Sequence, residues 1–164
     1  MIRDEQPAPI ILTRPQVLAL ATRGEIEIRL SARARGPAAL PDCTMDALLR
    51  RYAVGRRLWA RESFATRRDG AQLKILYPWQ GPGPQRRFIP IDRVERKYLT
   101  ERYVTRPPKY MPRWAARILL EVTAAHPDPA AAAVVITARL HSAVEKPNCF
   151  MDHREVERES IDHA

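Results

Sequence analysis

Short apolar stretches, several of them alternating with polar residues, predict five or six strands and one early helix. Glu25-Ile26-Glu27-Ile28-Arg29-Leu30 alternates strictly, as expected of a half-buried strand with Ile26, Ile28 and Leu30 inward. Leu73-Lys74-Ile75-Leu76-Tyr77 alternates as well. Leu58 to Phe64 reads as a strand entered through a Val54-Gly55 turn, and Ile10 to Leu12 begins another. Arg117 to Val122 is apolar nearly throughout, the pattern of a strand covered on both faces. Ala130 to Leu140 suits a helix by its alanines and a strand by Val134-Val135-Ile136-Thr137. Four β-branched residues in a row favour strand for its second half.

The early helix follows Thr13, a good N-cap, with Pro15 in the first turn where its missing N–H costs little. Val17, Leu18, Leu20 and Ala21 supply the apolar face, and Gly24 is the expected stop. Thr44 caps a further turn of helix through Met45, Leu48 and Leu49. Gly36-Pro37 and Pro41-Asp42 mark a loop, and Arg67 to Gly70 reads as a polar turn. Gln80-Gly81-Pro82-Gly83-Pro84-Gln85 reads as a flexible, solvated loop. Arg86 to Pro107 reads as a polar segment with a turn of helix near Asp92 to Tyr98. His126-Pro127-Asp128-Pro129 and Pro147-Asn148 read as breaks, and Asp152 to His163 as an acidic polar end. The expected architecture is α+β, a small mixed β-barrel with one early helix and short flanking helices. Residues 1–125 form its core, and residues 126–164 a C-terminal extension with a further strand and then the acidic tail.

At 164 residues the chain suffices for one domain that buries about 70% of its unfolded surface. Apolar content of 45% with 29% charged residues describes a globular chain. The mixed charge of Met1 to Gln6 resembles no signal peptide, and the apolar run Ala130 to Ile136 is far too short for a bilayer. A cytoplasmic protein without membrane contact is expected. Cys43 and Cys149 stand far apart, and His126, His141, His153 and His163 are scattered. Neither disulfide, metal site nor cofactor is expected.

Charge changes the picture. The net charge is +9, yet it is unevenly placed. Met1 to Leu49 carries six basic and six acidic residues; Arg50 to Arg117 carries eighteen and five; Ile118 to Ala164 carries four and eight. A local excess of thirteen positive charges attracts polyanions. Arginine outnumbers lysine by 24 to 4, which suits bidentate phosphate contacts and base stacking, although a GC-rich genome also favours arginine codons.

Two blocks inside that region are the most distinctive: Tyr52 to Phe64, YAVGRRLWARESF, and Arg106 to Val122, RPPKYMPRWAARILLEV. Together with the early helix and its exit strand they resemble the ASCH family, small barrels related to the RNA-binding PUA domains, in the version common in phage and prophage genomes. The resemblance spans Ile10 to Ala125. It implies a PUA-like barrel and an RNA ligand. The family signature Gly-x-Lys-x-x-Glu-x-Arg falls on Thr22 to Arg29, TRGEIEIR. Glu27 and Arg29 occupy its Glu and Arg positions, while Thr22 and Gly24 stand where the family has Gly and Lys. In family members resembling amidohydrolases, the Lys activates a Thr that replaces the signature Glu, and a separate Glu assists. Glu62 matches that separate Glu, but here Gly24 replaces the Lys and Glu27 stands at the Thr position. A hydroxyl nucleophile needs a neighbouring base, so little or no N4-acetylcytidine amidohydrolase activity is expected.

Three functions follow as alternatives. The favoured one is a nucleic-acid-binding module, RNA above all, with Arg29, Arg56, Arg57, Arg61, Lys109, Tyr110, Arg113 and Arg117 on phosphates and bases. The second is a nucleoside amidohydrolase or ribonuclease with Glu27 and Glu62 as catalytic carboxylates. The third is a phage accessory protein that meets an acidic protein partner. Glu27 equally suits the solvent face of its strand, and Glu62 an ion pair with an arginine. Arg113 and Arg117 have the same alternative, pairing with Glu121 and Glu62. Trp59 and Trp114 read as core, and Tyr110 and Trp79 as stacking residues on loops. Convergence of Glu27, Arg29 and Glu62 in one open pocket is what the enzyme alternative requires.

Overall fold

The computed structural model describes residues 6–32 and 44–143. Cys43, Cys149, His153, His163, the Gly36-Pro37 and Pro41-Asp42 loop, the Pro147-Asn148 break and the acidic tail lie outside them. The architecture is α+β, with curled sheets that make a half-barrel. Strands β1 (Ala8–Ile11), β2 (Glu25–Ser31), β3 (Arg57–Arg61), β8 (Ile118–Asp128) and β9 (Ala133–Ala143) form one sheet in the order β1-β3-β8-β9-β2. Strands β4 (Phe64–Asp69), β5 (Gln72–Leu76), β6 (Arg86–Pro90) and β7 (Val104–Arg106) form a second, in the order β6-β5-β4-β7. Helices α1 (Arg14–Arg23) and α2 (Met45–Arg51) complete the described elements, with short 3-10 turns between them.

Helix α1 begins and ends where its chemistry dictates. The Gln16 side chain accepts the Thr13 backbone N–H at 2.9 Å, satisfying a donor the helix cannot. Gly24 stops it at φ 72°, donating its N–H to Leu20 O at 3.0 Å, and β2 starts at the next residue. Val17 and Leu20 are buried, whereas Leu18, expected on the apolar face, is exposed.

The core divides into two clusters. Ile26, Ile28, Leu58, Leu120 and Ile136 pack with Val17 and Leu20 in one; Phe64, Leu73, Ile75, Ile89 and Met111 pack in the other. The β3–β8 pair separates them. Leu58 opposite Leu120 faces the first, and Trp59 opposite Leu119 faces the second. Apolar residues on both faces of β8 are thereby explained, and both Ile26-Ile28-Leu30 and the Ile118–Leu120 segment line the core as expected.

Four expectations need correction. Leu58 to Phe64 is not one strand: β3 ends at Arg61 and β4 begins at Phe64, so the chain changes sheet across Glu62 and Ser63. Arg67 to Gly70 is no free turn, because β4 runs to Asp69 and pairs it with Gln72. Gly70 at φ 61° supplies the left-handed first position of a two-residue hairpin. The polar segment after Arg86 contains β6 and β7 besides the expected helical turn. His126 to Pro129 does not break the chain, because β8 continues to Asp128, which puts the division at Ala125 inside a strand. Pro127 is tolerated there since β3 pairs β8 only from Leu119 to Glu121, leaving its N side without a ladder partner.

Candidate functional site

Glu62 sits at the step between the sheets, turned inward against Arg117, the residue that enters β8. The two side chains form a bidentate pair: Arg117 Nη2 donates to Oε1 at 2.8 Å and Nε to Oε2 at 3.0 Å. Both are 0% exposed. Arg117 further donates to Trp79 O at 2.7 Å and Pro84 O at 3.0 Å, and its Cζ lies 4.6 Å from the centre of the Tyr77 ring. The Tyr77 hydroxyl donates to Ala115 O at 2.6 Å. Arg87 is buried beside it, donating to Ala116 O at 3.0 Å. Burial raises the Glu62 pKa above the ordinary 4.5, with Arg117 opposing the shift. Burial likewise pushes Tyr77 up to about 12, against the opposing pull of Arg87.

This network ties the sheet step, the strand β8 and the loop after Tyr77 to one guanidinium. The 80–85 loop expected to be flexible is thereby held down. Gly81 is essential to the fit: a Cβ there would lie 2.5 Å from Val17 Cγ1 and 3.0 Å from Arg117 Nη2.

Glu27, Arg29 and Glu62 do not converge. Glu27 is exposed on β2 and lines a cavity of about 470 Å³ with Gln16, Arg23, Glu25 and Thr137; neither Arg29 nor Glu62 lines it. Arg29 pairs with Asp128 at 2.7 Å. Two strands, β8 and β9, separate β2 from β3, and Glu62 offers no surface to a substrate. Among the described residues no cluster of His, Cys, Asp and Glu is placed to hold a metal.

The expected phosphate- and base-binding residues divide differently. Arg57, Lys109 and Arg113 are exposed, as is Tyr110 at 55%. The Lys109 Nζ lies 4.8 Å from the Tyr110 ring centre. Arg113 donates to Gln6 Oε1 at 3.3 Å, while Glu121 is met by Arg139 rather than Arg113. Arg56 and Arg61 are half-buried, and Arg61 stacks 4.8 Å from the Trp59 ring centre. Arg117 alone of the eight is fully interior, so phosphate contact is not available to it. Trp59 is core as read, and Trp114 packs partly buried against the second cluster. Trp79 packs partly buried against the first, leaving Tyr110 as the open aromatic of the loop pair.

One constellation escaped the sequence reading. In the smaller sheet Phe88 pairs with Lys74, and Lys74 with Arg67. Thr66 pairs with Val104, which brings Tyr103 beside Arg67. The Arg67 Cζ lies 4.7 Å from the Tyr103 ring centre, and Lys74 Nζ lies 5.7 Å from that of Phe88 and 5.9 Å from that of Tyr103. The row Phe88-Lys74-Arg67-Tyr103 thus crosses the face opposite the buried Leu73, Ile75 and Ile89. The alternation around Lys74 and the Asp-Gly hairpin signal together carried this information. Across Arg50 to Arg117 only Arg87, Arg117 and Glu62 of the charged residues are buried, which leaves sixteen basic against four acidic residues reaching the surface.

No family model, no curated protein and no solved structure matches this chain.

Proposed function

We propose that the chain is a nucleic-acid-binding module of the PUA-like ASCH type, with RNA as its ligand. The surface charge of the Arg50 to Arg117 region carries this reading: sixteen basic residues against four acidic ones. That excess is far larger than local ion pairing absorbs, and it generates a field that concentrates polyanions. Exposed Tyr110 beside Lys109 in a Pro-rich turn adds a ring on which an unpaired base can stack. The hydrolase alternative draws no support from Glu62, whose carboxylate is spent on Arg117.

Direct titration of the protein with single-stranded RNA, single-stranded DNA and duplex DNA at about 50 mM salt tests the reading. Binding tightest for single-stranded RNA supports it. Failure to bind any of the three overturns it and favours an acidic protein partner.

A further inference from the structure

We propose that the outer face of the four-stranded sheet is a stacking platform for single-stranded RNA. Phe88 and Tyr103 take bases, and Lys74 and Arg67 between them take phosphates. This rests on the nucleic-acid reading above and names the surface that performs it.

The row is poorly explained as a stability device. Lys74 and Arg67 are direct cross-strand neighbours, and like charges directly opposite one another destabilise a sheet. Among the described residues neither is paired with a carboxylate. A phosphate relieves that repulsion, since it neutralises the two cations and accepts from the guanidinium.

The rings then fix the class of nucleic acid. Phe88 is half-buried and Tyr103 is 37% exposed, and they bracket the cations across three strand spacings, about 14 Å. A duplex major groove admits a helix or a two-stranded ribbon, not the face of a four-stranded sheet. Aromatic side chains on such a face instead meet unpaired bases, for which stacking is favourable whatever the base. Cations resting over the rings in the free protein keep those rings oriented until a base displaces them.

The test is fluorescence anisotropy with a labelled single-stranded oligouridine and the full chain. Phe88→Ala and Tyr103→Ala should each weaken binding by roughly 5- to 140-fold, the range that corresponds to the loss of one stacked base. Their salt dependence should stay that of the unsubstituted protein, whereas Arg67→Ala should flatten the slope of log affinity against log salt by about 0.7. Tyr103→Trp should bind as well as the parent. Thermal melts check folding, and if Phe88→Ala does not fold, the exposed Tyr103 position decides alone. Parent-like binding by folded Tyr103→Ala and, where it folds, Phe88→Ala moves the site elsewhere and overturns the platform while leaving RNA binding intact. Stronger competition by a duplex than by a single strand overturns it as well. No binding by the parent protein removes the broader reading with it.

Discussion

Truncating Glu62 leaves the Arg117 guanidinium in the interior without its carboxylate. Glu62→Ala should cost about 3–5 kcal/mol, the usual penalty for stranding a buried charge, read as a lower denaturant midpoint. Replacing both partners, Glu62→Leu with Arg117→Met, should cost less than the sum of the single changes by about 0.5–3 kcal/mol. Because burial raises the Glu62 pKa, the folded state holds this proton to higher pH than the unfolded chain does. Its stabilising contribution is therefore complete below about 4.5 and lost as pH rises through the folded value. The stability advantage of the parent protein over Glu62→Gln should narrow as pH rises above about 4.5 in urea unfolding; an advantage that widens would contradict the direction of the shift. The sequence admits Glu62 and Arg117 as partners, but their burial is not legible in it. A charged residue in a strand-like segment ordinarily reads as solvent-facing, and the change of sheet at Glu62 turns it inward.

At the scale of elements, local chemistry decided what could be read. Helix α1 and strand β2 were legible because the Thr13 cap, the Gly24 stop and the Ile26-Ile28 alternation all agree. The composition of the 80–85 loop says nothing about Arg117, whose donors reach the Trp79 and Pro84 carbonyls from a distant strand. Pro127 resembles a break for a related reason: a proline is harmless in a strand whose neighbour ends early, and pairing length is not written locally. The loop yields a prediction. Gly81→Ala should destabilise by about 1–3 kcal/mol, because Val17 is β-branched, buried on α1 and unable to swing away from a Cβ 2.5 Å distant. Calorimetry that finds the variant as stable as the parent would mean the loop does not pack there.

Across the whole molecule, the charge imbalance was fully legible, since composition by segment needs no coordinates. What sequence left open was which cations remain at the surface and which rings accompany them; strand register settles the second through Lys74, Arg67 and their flanking aromatics. If the basic region neutralises four or five phosphates of a single strand, log affinity should fall against log salt with a slope near −3, about −0.7 per contact. Arg113→Ala, at an exposed position within the basic region, should flatten that slope by about 0.7. Arg139→Ala, on β9 and paired with Glu121, should leave it unchanged. The salt dependence of single-stranded RNA binding, measured for the parent and these two variants, is the most direct check of the central claim. A slope near −3 that responds to Arg113 but not to Arg139 is the expected result, and binding indifferent to salt, or equally sensitive to both substitutions, would contradict it.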